Sequence, residues 1–376
     1  MQRIVVSSVG TSLLTQQIDR RVSGESDWYI TLRDRANLKF DEIDDRAKEI
    51  ILTLQKRAIQ KLNSSDVQTI RAASAELNGI YGIYDGNLSQ GKSDTHFLIS
   101  TDTAQGETTA KIVESFLQQQ GIVNVSIYKP DGLSTASTTN FSEGIDELIV
   151  WLQNNIEPLK NNYKVIFNLV GSFKSLQGYL NTIGMFYADE IIYIFEGQGS
   201  EVITIPRLPI SVDIDAIKPH TLTLALLDAG MELPATEMQG IPEALLGDID
   251  DCKVLSTWGQ LIWNKAKDEL LSQDLLNFPK LIYQDTFRSD YKSIKVAKER
   301  VKLQETLAQV SGLLTESNGD TSIIKQHTGL QYDKYTNKNG IDHFRVTQGL
   351  RVSCISSNGE LTLRRYGKEP VVNKNP

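Results

Sequence analysis

"FNLVGSFKSLQGYLNTIGMFYADEIIYIFEG", residues 167–197, ties one apolar run to another through a small-residue loop and a helical pattern. Val165, Ile166, Phe167, Leu169 and Val170 read as a buried strand ending in Gly171-Ser172-Phe173-Lys174. Helical spacing runs on to about residue 188, and Ile191 to Phe195 reads as the next strand. Continuous apolar strands alternating with helices argue for a parallel sheet covered on both faces.

The same alternation extends outward. Residues 3–9 read as a buried strand, and residues 15–37 as a long loop. Ile43, Ala47, Ile50, Ile51, Leu54, Ala58 and Leu62 have helical spacing, and Ser64-Ser65-Asp66 offers caps for a second helix. Strands are expected at 96–101, 123–128 and 200–210, and helices at 107–120 and 142–159.

Ligands of open parallel sheets sit beyond the carboxyl ends of the strands, where the strand order reverses. In a 3-2-1-4 order, Val9-Gly10-Thr11-Ser12-Leu13 after the first strand and Gly171-Ser172-Phe173-Lys174 after the fourth border one crevice. Thr101 to Gly106, with Asp102 and Thr103, forms a third wall. Backbone N–H groups, hydroxyls and Lys174 suit an anion, phosphates above all. Neither GxGxxG after the first strand nor GxxxxGK[ST] is present, which removes the dinucleotide fingerprint and the P-loop.

The 376 residues carry a net charge of −8. From residue 281 on there are 15 basic and 10 acidic residues, against 24 and 37 before it. An acidic front with a basic tail suggests an anionic partner for the tail. Two widely spaced cysteines give neither a disulfide framework nor a metal spacing, which fits a reducing cytoplasm. No apolar run approaches the roughly 18 residues of a membrane span, and the start lacks the cleavage pattern of a signal peptide.

"VSSVGTSLLT" (6–15) together with residues 167–197 resembles the CRISPR-associated Rossmann fold, the CARF sensor domain, over roughly residues 1–205. The resemblance implies a homodimer that binds cyclic oligoadenylate, cyclic tetra-adenylate foremost, as activator and needs no cofactor or metal. The family's motifs fall on Gly10, Thr11 and Ser12, and on Gly171, Ser172, Phe173 and Lys174. A ring of phosphates and adenines has rotational symmetry, so a two-fold dimer offers it the same crevice twice. Some members cut the ring slowly, a role that Ser12 and Lys174 would fill.

Residues 211–280 read as a helical connector, and residues 281–376 as a small α+β domain: helices, then the strands "DHFRV", "LRVSCIS" and "ELTLRRYG", with a hairpin at Asn358-Gly359. None of the four histidines has an arginine five to seven residues before it, which argues against a HEPN ribonuclease. From about Asp285 to Lys374 the tail resembles a RelE-type mRNA interferase, through Phe344-Arg345-Val346, Gly349-Leu350-Arg351-Val352 and Arg364-Arg365-Tyr366-Gly367-Lys368. That resemblance implies metal-independent cleavage of mRNA on the ribosome.

Such cleavage, by a 2′-OH attacking the adjacent phosphate, needs a base, positive charge on the phosphoryl oxygens and an acid. Arginine is too basic to be the base, so Arg345 and Arg351 are cast as phosphate clamps. His343 has a suitable pKa for proton transfer. Lys368 or Tyr366 is the acid or a stabiliser, and Arg365 completes the basic set. Residues two apart on a strand share a face, which groups His343 with Arg345 and Arg351 with Ser353, and turns Cys354 toward the core. The expectation is a Rossmann-like CARF domain (1–210), a helical connector (211–280) and a RelE-like ribonuclease domain (281–376). A ring nuclease and a ligand-controlled transcription regulator are the alternatives.

Overall fold

The computed structural model describes residues 1–376 except 20, 23, 65, 195–200, 337 and 339. Ser65 of the expected cap, Phe195 at the end of the fifth strand and Ser200 at the start of the sixth lie outside the described residues. The chain divides into two compact units, Met1–Ile210 and Ser211–Pro376.

The front unit is built on a six-stranded sheet. Its strands are β1 (Arg3–Ser8), β2 (Thr95–Ile99), β3 (Val125–Tyr128), β4 (Lys164–Asn168), β5 (Glu190–Ile194) and β6 (Val202–Pro206), in the order β3-β2-β1-β4-β5-β6. The first five run parallel, and β6 pairs antiparallel with β5. The order reverses between β1 and β4, so the loops after these two strands stand side by side. Ile4, Val5 and Val6 of β1 and Val165 and Phe167 of β4 are at most 1% exposed. Burial on both faces explains why these strands read as unbroken apolar runs.

Helix bounds follow their caps. Asp44 accepts from Ala47 N and opens the helix Asp45–Leu62. Asp66 caps Val67–Ala73. The chain then breaks at Ser74, whose hydroxyl caps a further helix, Ala75–Ile83, where one continuous helix was expected. Thr103 caps Ala104–Gln119, three residues before the expected start. The stretch 15–37, expected as loop, contains the helix Trp28–Asp34.

In the second unit, residues 211–280 are more than a helical connector. They hold the helices Thr221–Asp228 and Thr257–Leu271 and a small sheet of β7 (Leu233–Pro234), β8 (Leu246–Ile249) and β9 (Cys252–Leu255) in the order β7-β9-β8. Leu224, Leu227, Trp263 and Leu270 share one hydrophobic core with Phe287, Leu307, Phe344 and Leu363 of the tail. The tail sheet consists of β10 (Leu281–Tyr283), β11 (Asp333–Lys334), β12 (Asp342–Arg345), β13 (Leu350–Ser357) and β14 (Glu360–Lys368), ordered β10-β14-β13-β12-β11. All pairs are antiparallel except β10 with β14. The helices Asp285–Ser293 and Ala297–Glu316 precede β11, and the short helix Glu369–Lys374 follows β14. Among the described residues no helix is long and apolar enough to cross a membrane.

Candidate functional sites

At the reversal of the front sheet lies a cavity of about 1320 Å³. Gly10, Thr11 and Ser12 line it from the β1 loop, Gly171, Ser172 and Phe173 from the β4 loop, and Thr101 from the β2 loop. The three expected walls therefore meet. Lys174 does not line the cavity; it is the exposed first residue of the helix Lys174–Tyr187, directly after the lining residue Phe173.

A polar network below the cavity holds the two loops together. Gly10 N–H donates to Glu76 Oε1 at 2.7 Å, and Ser74 Oγ donates to Glu76 Oε2 at 2.7 Å. Asn168 Nδ2 donates to Ser7 Oγ at 3.1 Å and to the Glu76 carbonyl at 3.0 Å. Ser8 Oγ donates to the Gly171 carbonyl. Glu76 is fully buried, and burial pushes its carboxyl up in spite of the Gly10 and Ser74 hydrogen bonds. A Cβ on Gly171 would lie 2.2 Å from Glu76 Oε1, and one on Gly10 would lie 3.4 Å from it. Gly171 is thus set by close approach to the carboxyl group, whereas the atoms nearest a Cβ on Gly10 would be Ser172 N at 3.2 Å and Cα at 3.3 Å, in the facing loop. Sequence reasoning missed Glu76; Ser74 before an acidic residue and an apolar pattern was the one local signal, and it reads as capping.

Of the β2 loop only Thr101 reaches the cavity. Thr103 Oγ1 caps its helix by accepting from Gly106 N at 3.1 Å, and it shares a 2.9 Å hydrogen bond with Thr101 Oγ1. Asp102 is 2% exposed and lies between Lys129 Nζ at 2.7 Å and Lys39 Nζ at 2.5 Å, with Gly132 N–H donating at 3.1 Å. Burial raises its pKa, but the two ammonium groups and the N–H outweigh burial and hold the carboxyl well below the usual range. Asp102 and Thr103 are therefore engaged in holding the loop, not turned toward the cavity. Two lining hydroxyls are different: Ser12 Oγ and Ser172 Oγ are buried and have no hydrogen-bond partner.

In the tail, pairing fixes which side chains share a face. His343 pairs with Ser353 and Arg345 with Arg351 across β12 and β13, and Arg351 pairs with Gly367 and Ser353 with Arg365 across β13 and β14. Directly opposed residues point the same way. One face thus carries His343, Arg345, Arg351 and Ser353; Phe344, Val352 and Cys354 point to the core and are fully buried.

Tyr366 departs from the expected set. Cys354 pairs with Leu363 while Ser353 pairs with Arg365, so Arg364 is an extra residue, a β-bulge. The bulge inverts the phase of the strand: Tyr366 faces the core, 5% exposed, and donates to Glu299 Oε1 at 3.0 Å. Lys368, two residues on, ends the strand as an exposed residue. Arg365 Nε and Nη2 donate to the Asp290 carboxylate at 2.7 and 3.2 Å, tying the sheet to the helix Asp285–Ser293. Neither Tyr366 nor Arg365 joins the arginine face as a free group.

That face is half closed. Arg351 is 8% exposed; its Nη2 donates to Glu369 Oε1 at 2.8 Å. The helix Glu369–Lys374 packs on β13 and β14, and Tyr335 Oη donates to Asn373 Oδ1 at 2.7 Å. The Arg351 guanidinium holds the Glu369 carboxylate below its usual range. Arg351 Nε and Nη1, Arg345 Nε, His343 Nδ1 and Ser353 Oγ are all buried without a hydrogen-bond partner. His343 stacks on Tyr335 with ring centroids 4.4 Å apart. Burial, then the Arg351 charge, lowers the His343 pKa, so the imidazole is neutral near pH 7. A neutral imidazole beside two guanidinium groups can take a proton next to a bound phosphate.

Residues 71–208 match a family described as CRISPR-associated protein (Cas_APE2256). The match supports a CRISPR-associated protein. It begins at Arg71 on the cavity wall and takes in Glu76, the Thr101 loop and the Gly171 loop, with β2 to β6.

Proposed function

We propose that the chain is a ribonuclease switched on by a cyclic oligoadenylate, with mRNA as substrate and the ribosome as the place of cutting. Buried arginine donors with no partner carry this reading. A guanidinium N–H left unpaired in the interior costs a few kcal/mol, so Arg351 Nε and Nη1 and Arg345 Nε mark a place kept for an anion. A scissile phosphate supplies the acceptors.

In the reaction the 2′-OH attacks the phosphorus, the P–O5′ bond breaks, and a 2′,3′-cyclic phosphate and a 5′-OH result. His343 takes the 2′-OH proton. Arg345 and Arg351 carry the charge growing on the phosphoryl oxygens, an effect worth about 10²–10³ in rate per donor in comparable sites. With Tyr366 turned to the core, and Lys368 opposite Leu350 on that same side of the sheet, the proton for O5′ comes from His343 once it has been protonated. The cavity of the front unit, with glycine loops, unpaired hydroxyls and the match to a CRISPR-associated family, supports a phosphate-rich activator there. Two-fold pairing of protomers would present that cavity twice to a symmetric ring. Activation follows when the ring binds the cutting-competent arrangement more tightly than the resting one.

An in vitro translation reaction with and without cyclic tetra-adenylate tests this. Protein synthesis should stop only when both the wild-type chain and the ring are present, and Arg351→Ala should abolish the effect. Inhibition without the ring, or unchanged in Arg351→Ala, would rule the reading out.

A further inference from the structure

The anion cavity of the front unit has a wall that the loop motifs do not include. Residues of the helices Val67–Ala73 and Ala75–Ile83 form it: Gln68, Arg71, Ala72, Ala75 and Asn78. Among the described lining residues Arg71 alone carries a formal charge. Lys174, the lysine that the loop pattern singles out, is exposed and outside the lining.

Arg71 is half-buried, and its Nε donates to Asn78 Oδ1 at 2.7 Å. That bond crosses the break at Ser74, one turn beyond which Asn78 presents its amide to the same cavity. A guanidinium anchored through Nε has its plane set, and no described hydrogen bond or ion pair engages its Nη1 and Nη2. Such a fork matches two oxygens of one phosphate, which a lysine ammonium does not. The same cavity holds the buried, unpaired hydroxyls of Ser12 and Ser172, so unsatisfied donors converge on it from the wall and from both loops.

We infer that Arg71 is the anion clamp of this cavity, gripping a phosphodiester of the bound ring, with Asn78 as the residue that positions it. The inference rests on the cyclic oligoadenylate reading given above. It moves the decisive positive charge from the β4 loop to the helix wall.

Titration of the full-length chain with cyclic tetra-adenylate by calorimetry, across a series of salt concentrations, is the test. Arg71→Ala should weaken binding by about 10- to 150-fold, the range for a hydrogen-bonded charged group. Its plot of log K against log salt should be shallower by about 0.7 for each phosphate that is no longer neutralised. Arg71→Lys should recover only part of the loss, Asn78→Ala should cost a few-fold, and Lys174→Ala should cost less than Arg71→Ala. Circular dichroism and the unfolding midpoint establish that each variant is folded, and Arg71→Lys carries the test if Arg71→Ala is not. Wild-type binding with Arg71→Ala or Arg71→Lys indistinguishable from it, in affinity and in salt slope, would overturn the inference and leave the ring reading standing. If the wild-type chain bound neither cyclic tetra- nor hexa-adenylate, both would fall.

Discussion

Replacing Gly171 by alanine probes the joint between the two loops of the front cavity. The added Cβ would stand 2.2 Å from Glu76 Oε1 and 2.5 Å from its Cδ. Ordinary contact needs about 3.5 Å, so the carboxyl must retreat by about 1 Å. Elsewhere a flexible carboxyl would swing aside; Glu76 is fully buried and held by Gly10 N–H and Ser74 Oγ. A retreat of that size breaks the 2.7 Å bond from Gly10 and leaves a half-buried N–H unpaired, at about 1–3 kcal/mol. Overpacking adds about 1–3 kcal/mol. The front unit should lose about 2–6 kcal/mol, which for a unit of this size lowers its midpoint by roughly 5–15 °C. Scanning calorimetry of the whole chain reads this as a downward shift of one transition. Glu76→Ala removes the obstructing carboxyl, so Glu76→Ala with Gly171→Ala should cost at least about 1 kcal/mol less than the sum of the two single changes. A Gly171→Ala chain within about 0.5 kcal/mol of wild type, or strict additivity in the double variant, would refute the reasoning.

Three further outcomes are expected. Asp102→Asn should destabilise the front unit by about 1–3 kcal/mol, less than a fully buried pair because Lys39 and Lys129 stay in touch with water, while cyclic tetra-adenylate binding changes less than threefold by calorimetry. The Asp102 carboxyl is held below its ordinary value of 3.8, so its stabilisation is complete above that pH and is lost as pH falls through the depressed folded value; acid unfolding curves of wild type and Asp102→Asn should converge at low pH. Arg351→Lys should cut RNA cleavage almost as much as Arg351→Ala, by about 10²-fold or more in a single-turnover assay, since an ammonium cannot reproduce the fork; near-wild-type cleavage by the lysine variant would remove Arg351 as a phosphate clamp. Glu369→Gln takes away a carboxylate that competes with phosphate for Arg351, so binding of a non-cleavable RNA should tighten several-fold by fluorescence anisotropy, and weaker binding would contradict that competition.

Much of the front unit was legible because burial on both faces leaves its strands apolar throughout, and because the loop after each strand is rich in small residues. Knowing that β1 neighbours β4 placed the Gly10 and Gly171 loops together. Glu76 and Arg71 were not legible, since an acid in a first helical turn and a basic residue in a last turn both read as solvated helix ends. Their role depends on the break at Ser74, which packs two short helices over the cavity. Asp102 misled for a related reason: its lysines are far off in sequence, at 39 and 129. In the tail, strand alternation correctly grouped His343 with Arg345 and Arg351 with Ser353. Tyr366, cast as an acid or stabiliser, is turned to the core by the extra residue at Arg364, and nothing in the strand's sequence marks that bulge. The small sheet in residues 211–280 was hidden by strands of only two to four residues, too short for a period to emerge.

The most direct measurement of the central claim is the chemistry of the cut. Ribosome-bound mRNA is incubated with the purified chain, with and without cyclic tetra-adenylate, and the new ends are sequenced and typed. The expected result is ring-dependent scission that leaves 2′,3′-cyclic phosphate and 5′-OH ends, absent in Arg351→Ala. Intact mRNA in the presence of bound ring, or ends bearing 5′-phosphate, would contradict it.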